Sequence, residues 1–88
     1  MRVSRGADVL FEVVDGTAVL VDPNGRELFT LNAVGSMVWE ALADHHDPAA
    51  LTAHLEPRVN GVDRATLERD ITAFLEELRA AGLVDASA

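Results

Sequence analysis

The sequence predicts an α+β fold in which a three-stranded antiparallel sheet precedes three helices. Three observations carry this reading. Short β-rich apolar runs fill the chain as far as Leu31, and beyond it apolar residues recur at helical spacing. Two turn signals, Asp15-Gly16 and Pro23-Asn24-Gly25, cut the first part into three short runs. Three helix-start signals, Asn32, Asp47-Pro48 and Asp63, cut the second.

Strands are predicted at about 8–14, 17–22 and 26–31. Asp15-Gly16 suits a two-residue hairpin, because both central positions of that turn take positive φ. The middle run, TAVLVD, is the most apolar. The third run, RELFTL, is unusual: Phe29 and Leu31 face one side of an extended chain, while Leu28 puts a second apolar side chain on the other. A strand buried on one side only should alternate apolar with polar.

Helices are predicted at about 33–43, 48–56 and 64–81. Val34, Met37, Val38 and Leu42 share a face of the first, and Ala50, Leu51, His54 and Leu55 one of the second. The third and longest carries the stripe Leu67, Ile71, Phe74, Leu75 and Leu78, with Gly82 as its stop. Leu83-Val84 reads as a short tail docking back. Trp39 falls one step off the first helix's stripe and reads as half-buried, with a partner-facing role as the alternative.

At 88 residues, about half of them hydrophobic, residues 1–88 read as a single domain with one core. The absence of cysteine excludes disulfides and thiol chemistry. No apolar run approaches the roughly 18 residues of a membrane span. The N-terminal residues lack the hydrophobic block of a signal peptide, so a cytoplasmic location is the expectation.

Three helices beside a small sheet also describe a winged helix-turn-helix, and many such domains bind DNA. The charge argues against nucleic acid here: fifteen acids oppose seven arginines, there is no lysine, and the net charge is −8. The outer face of the third helix, with Glu68, Arg69, Glu76 and Arg79, is mixed rather than basic.

Catalytic candidates are few. Ser36 lies in a helix without a nucleophile elbow, and Ser4 and Ser87 lie near the ends of the chain. The run Asp44-His45-His46-Asp47, with His54, offers metal-ligand types, but adjacent histidines rarely converge and Asp47 already serves as a helix cap. It reads as an inter-helix turn. Asp70 and Glu77, seven apart, share one side of the third helix, a pattern more often met in solvation or partner contact than in acid–base work. The sequence therefore predicts no catalytic residue, no metal and no cofactor.

The greasy third strand is the informative feature. In a meander it lies at an edge, and Arg26 and Glu27 blunt only its start. Either the third helix covers it or the edge is held open for an extended peptide. Two segments, AVLVDPNGRELFTLNAVGSMVWEAL and RDITAFLEELRAAGLV, resemble the PqqD-like recognition domains of ribosomally synthesised, post-translationally modified peptide pathways. The likeness is carried by Leu31-Asn32, Trp39, Asp70, Ile71, Phe74-Leu75, Leu78 and Gly82-Leu83, and runs from about residue 9 to 84. It departs at ADHHD, where the family often has a short Asp-Gly turn.

The resemblance implies a module that binds the leader of a precursor peptide as an added strand and presents it to a separate modifying enzyme or leader peptidase. It implies strand contacts at Glu27, Leu28, Phe29 and Thr30. On the third helix it implies contacts near Asp70, Ala73, Phe74 and Glu77, the flank around Leu75 and Arg79 being the alternative. A homodimer through the open edge, a winged-helix DNA binder and a non-catalytic structural subunit of a modifying enzyme are the competing readings.

Overall fold

The computed structural model describes residues 1–87. Its elements run β1 (Arg2–Arg5), β2 (Leu10–Val14), β3 (Thr17–Val21), β4 (Leu28–Thr30), α1 (Ala33–Ala41), α2 (Pro48–Leu55), a 3-10 turn (Glu56–Arg58), α3 (Arg64–Ala80) and β5 (Val84–Ser87). The three strands read from the sequence are β2, β3 and β4, which form one antiparallel sheet in the order β2-β3-β4. Asp15 and Gly16 have φ of 51° and 80°, as the tight hairpin between β2 and β3 requires.

Each helix begins on the residue whose side chain caps it. The carboxamide of Asn32 accepts from the Gly35 amide at 2.7 Å, and Asp47 and Asp63 accept from Ala50 and Thr66, each at 2.8 Å. The bond from the Thr66 amide also holds the Asp63 carboxyl below its usual range. α3 ends on Gly82 at φ 76°, and the Leu83 amide returns to the Leu78 carbonyl at 2.9 Å. That return seats Leu83 fully inside the core.

A second sheet is not foreshadowed in the sequence. β1 pairs antiparallel with β5, Val3 opposite Ala86 and Arg5 opposite Val84. A two-stranded ribbon is marginal alone. Here Val3 and Val84 are buried, and His46 clamps β1 from the α1–α2 loop. The Val3 amide donates to the His46 carbonyl at 2.7 Å, and the His46 ring nitrogen Nδ1 lies 3.1 Å from the Val3 carbonyl. The tail after α3 thus docks, as the sequence suggested, and continues as a full strand.

Trp39 is not half-buried but wholly enclosed. Phe11 of β2 meets its ring edge-on at 5.4 Å, and the Arg5 guanidinium lies over both rings, 4.6 Å from the Phe11 centroid and 5.2 Å from that of Trp39. The cover comes from β1, the strand with the weakest sequence signal. No partner-facing role is left for this ring.

Ser36 is structural. Its buried hydroxyl accepts from the Ala18 amide at 2.9 Å and lies 3.3 Å from the Leu31 carbonyl, to which it donates. It thereby spans the last rung between β3 and the end of β4 and ties both to α1. Ser36→Ala leaves the Ala18 N–H buried without a partner. We expect a loss of about 1–3 kcal/mol of unfolding free energy, read as a lowered urea midpoint.

Candidate functional site

The hydrogen-bond register of β4 fixes which of its amides are free. Val19 stands opposite Thr30, Leu20 opposite Phe29 and Val21 opposite Leu28. The Asp22 amide donates to the Glu27 carbonyl at 3.1 Å, and the Leu31 amide to the Ala18 carbonyl at 2.9 Å. Antiparallel pairs alternate between bonded and non-bonded. Residues 27, 29 and 31 therefore turn their main-chain groups toward β3. Leu28 and Thr30 turn their N–H and C=O groups outward, where no strand of this sheet lies. Side chains follow the same alternation: Phe29 is half-buried against the core, and Leu31 is buried, while Leu28 and Thr30 are exposed on the opposite face.

Directly beyond β4, a cleft of about 240 Å³ opens between the start of α1 and the middle of α3. Asn32, Val34 and Gly35 form one wall, and Leu67, Asp70, Ile71 and Phe74 the other. Val59 and Val62, from the segment after the 3-10 turn, close the end. Gly35 permits the narrow approach: a Cβ there would sit 3.0 Å from Phe74 Cζ and 3.0 Å from Asn32 Oδ1. The cleft is small beside metabolite sites of roughly 300–1,000 Å³, and its size suits side chains of a bound polypeptide better than a whole small molecule.

Of the residues expected on α3, Asp70 and Phe74 line this cleft. Glu77 continues their stripe one turn further and is exposed. Ala73 is not in the cleft. It borders a shallow depression on the outer flank with Ala65, Glu68, Arg69 and Thr72. The alternative flank is partly closed, because Leu75 is buried in the core and Arg79 is engaged with Glu76 at 2.8 Å. Among the described residues, the carboxylates of Asp70 and Glu77 have no hydrogen-bond or ion-pair partner.

Val34, Gly35, Val59 and Val62 were not picked out as site residues from the sequence. The signal for the last two was there: valines three apart inside an otherwise polar breaker, EPRVNGVD.

The histidines do not converge. His45 stacks on His54 with centroids 4.6 Å apart, while His46 turns to β1. Partial desolvation, then Arg58 and His45, push the His54 ring below its usual pKa. Among the described residues, no group of three or more His, Cys, Asp or Glu is placed to hold a metal ion. Nor is any helix among them long and apolar enough to cross a membrane.

A small winged-helix-like domain whose sheet leaves the β4 edge unpaired, with an apolar cleft past the end of that strand, defines a class of chain-binding modules. Residues 17–84 match the family model described as coenzyme PQQ synthesis protein D (PqqD), and the chain belongs to that family. Two solved structures are similar over nearly their whole length. One, TbiB1 in complex with the TbiA(beta) leader peptide, shares 29% identity at a TM-score of 0.86, covering 97% of this chain and 98% of that one. The other, lasso peptide synthetase B1 complexed with the leader peptide, shares 26% identity at a TM-score of 0.83, covering 98% and 100%. A search of curated proteins gives no significant match.

Proposed function

We propose that this chain binds the leader segment of a ribosomally synthesised precursor peptide, taking it as a fourth strand beside β4. The carrying observation is the pair of outward-facing amides at Leu28 and Thr30, on the strand that leads through Leu31 into Asn32 at the wall of a cleft lined by Phe74 and Asp70. Main-chain bonds along β4 supply affinity that depends little on peptide sequence, and the cleft supplies selection. Glu27, Leu28, Phe29 and Thr30 form the strand side. Asp70, Phe74 and Glu77 form the helix side, and Ala73 sits at its outer margin.

Both similar structures hold leader peptides, which supports the reading. The chemistry then belongs to a separate modifying enzyme or leader peptidase. This chain contributes a raised effective concentration and a fixed peptide orientation.

One experiment tests site and mode together. A leader peptide is titrated into labelled chain while amide exchange is followed residue by residue. The Leu28 and Thr30 amides are expected to exchange fast in the free chain and to become protected on binding, because edge amides gain partners only then. Asp70→Ala is expected to weaken binding by about 1–3 kcal/mol, through loss of a charge-assisted bond to a basic or N–H-bearing peptide residue. Unchanged exchange at both amides under saturating peptide would refute strand addition. Unchanged affinity in a folded Asp70→Ala variant would remove that carboxylate from the site.

A further inference from the structure

The sheet has a second feature that leader binding leaves unused. Its outer face, turned away from the helices, carries Leu10, Val14, Val19, Val21 and Leu28. Leu10, Val21 and Leu28 stand side by side as one row across all three strands. Leu10 is 71% exposed, Leu28 68% and Val14 52%. Solvent-facing sides of antiparallel sheets are normally polar, and a contiguous apolar patch on a small domain marks a contact surface. This is where the second apolar face of the RELFTL strand points: not toward α3, but outward.

Charge identifies the occupant. Glu12 stands within the face, and Asp8, Asp15, Asp22 and Glu27 sit in the turns and strand ends around the sheet, against Arg26 alone. A second copy would set the same acids against each other across the contact, in a chain of net charge −8. A surface with an apolar centre and a basic rim is complementary to it.

We infer that the outer face of the β2-β3-β4 sheet is the docking surface for the separate enzyme that acts on the bound peptide, and that this enzyme meets it with an apolar patch rimmed by arginine or lysine. The inference rests on the peptide-presenting role above. It adds a geometric reason for that role: β4 belongs to both surfaces. The peptide pairs with its edge, and the enzyme covers its outer side chains. The docked enzyme therefore stands beside the strand that carries its substrate.

The test separates the two surfaces. Leu10 and Glu12 lie on β2, across β3 from the peptide-binding edge. Wild type, Leu10→Arg and Glu12→Arg are each titrated with a leader peptide and, separately, with each purified modifying enzyme or peptidase encoded in the same gene cluster. Both variants are expected to bind the leader within twofold of wild type. Leu10→Arg is expected to bind the enzyme at least tenfold more weakly. Glu12→Arg is expected to bind it several-fold more weakly, with a shallower dependence on salt. Leu10→Ser, which introduces no charge, gives the same direction if Leu10→Arg proves poorly folded by circular dichroism.

Enzyme affinity unchanged in Leu10→Arg and Leu10→Ser overturns the inference. So does failure of every such enzyme to bind wild type, or a wild-type dimer that Leu10→Arg converts to monomer, since the face would then pair two copies. If wild type binds the enzyme but not the leader, and Leu10→Arg abolishes enzyme binding, the docking surface stands and the leader reading falls.

Discussion

Thr30→Pro and Leu28→Pro are expected to leave the fold largely intact while reducing leader affinity by roughly 100-fold or more. The register decides this. Both residues turn their N–H groups away from β3, so neither substitution removes a bond of the free chain. Each deletes a donor that the incoming strand needs and puts the pyrrolidine ring where that strand must lie. A lost hydrogen bond alone costs about 0.5–1.5 kcal/mol, and the clash prevents neighbouring bonds from forming. With wild-type binding in the micromolar range, about −8 kcal/mol, the variants fall to the edge of detection.

Phe29→Pro is the internal control. Its N–H faces Leu20, so proline there breaks the β3–β4 ladder and lowers stability instead. Fluorescence anisotropy with a labelled leader measures affinity, and circular dichroism checks the fold. Binding by folded Thr30→Pro and Leu28→Pro within threefold of wild type would mean that the peptide does not add to this edge.

The contrast among residues 28, 29 and 30 shows how far the sequence could be read. The period-two pattern and the Asp15-Gly16 turn placed the strands, because both are local: one depends on side-chain alternation and the other on a backbone preference for positive φ. The caps at Asn32, Asp47 and Asp63 were legible for the same reason, each side chain bonding an amide three residues on.

Which amides of β4 point outward was not legible, since it depends on the phase of the ladder and hence on long-range register. The β1–β5 ribbon joins opposite ends of the chain through two short strands, RVSR and VDAS, whose local patterns are mostly polar. Only burial of Val3 and Val84, set by the rest of the fold, makes these strands. The cleft was half legible. Asp70 and Phe74 share a helical stripe, but Val59 and Val62 reach them through a loop path that no periodicity encodes.

RELFTL lies at a sheet edge, as its place in the meander predicts, and its apolar residues divide between two faces. Phe29 and Leu31 serve the core. Leu28 belongs to an outer apolar face that becomes visible only when Leu10 and Val21 are brought beside it.

The largest expected loss of stability is at Trp39, where alanine should cost about 3–5 kcal/mol. The ring is fully buried and is held from two sides, by the edge of Phe11 and by the Arg5 guanidinium. Arg5 also donates from Nε to the Trp39 carbonyl at 2.9 Å, which locks β1 over the ring. Removing the indole opens a cavity at the point where β1, β2 and α1 meet and withdraws the surface on which Arg5 lies. A domain of 88 residues has a total stability of roughly 4–13 kcal/mol, so such a loss takes much or all of it. Trp39→Phe separates packing from polarity. The indole Nε1 has no hydrogen-bond partner among the described residues, and phenylalanine removes that buried donor while keeping most of the apolar volume. We expect Trp39→Phe to stay folded with a clearly smaller loss. Urea unfolding followed by circular dichroism compares the variants, since Trp39 is the only tryptophan and its fluorescence disappears with it. A Trp39→Ala variant within 1 kcal/mol of wild type would show that the junction closes over the vacated space and that the Arg5–Phe11 cover holds without the ring beneath it.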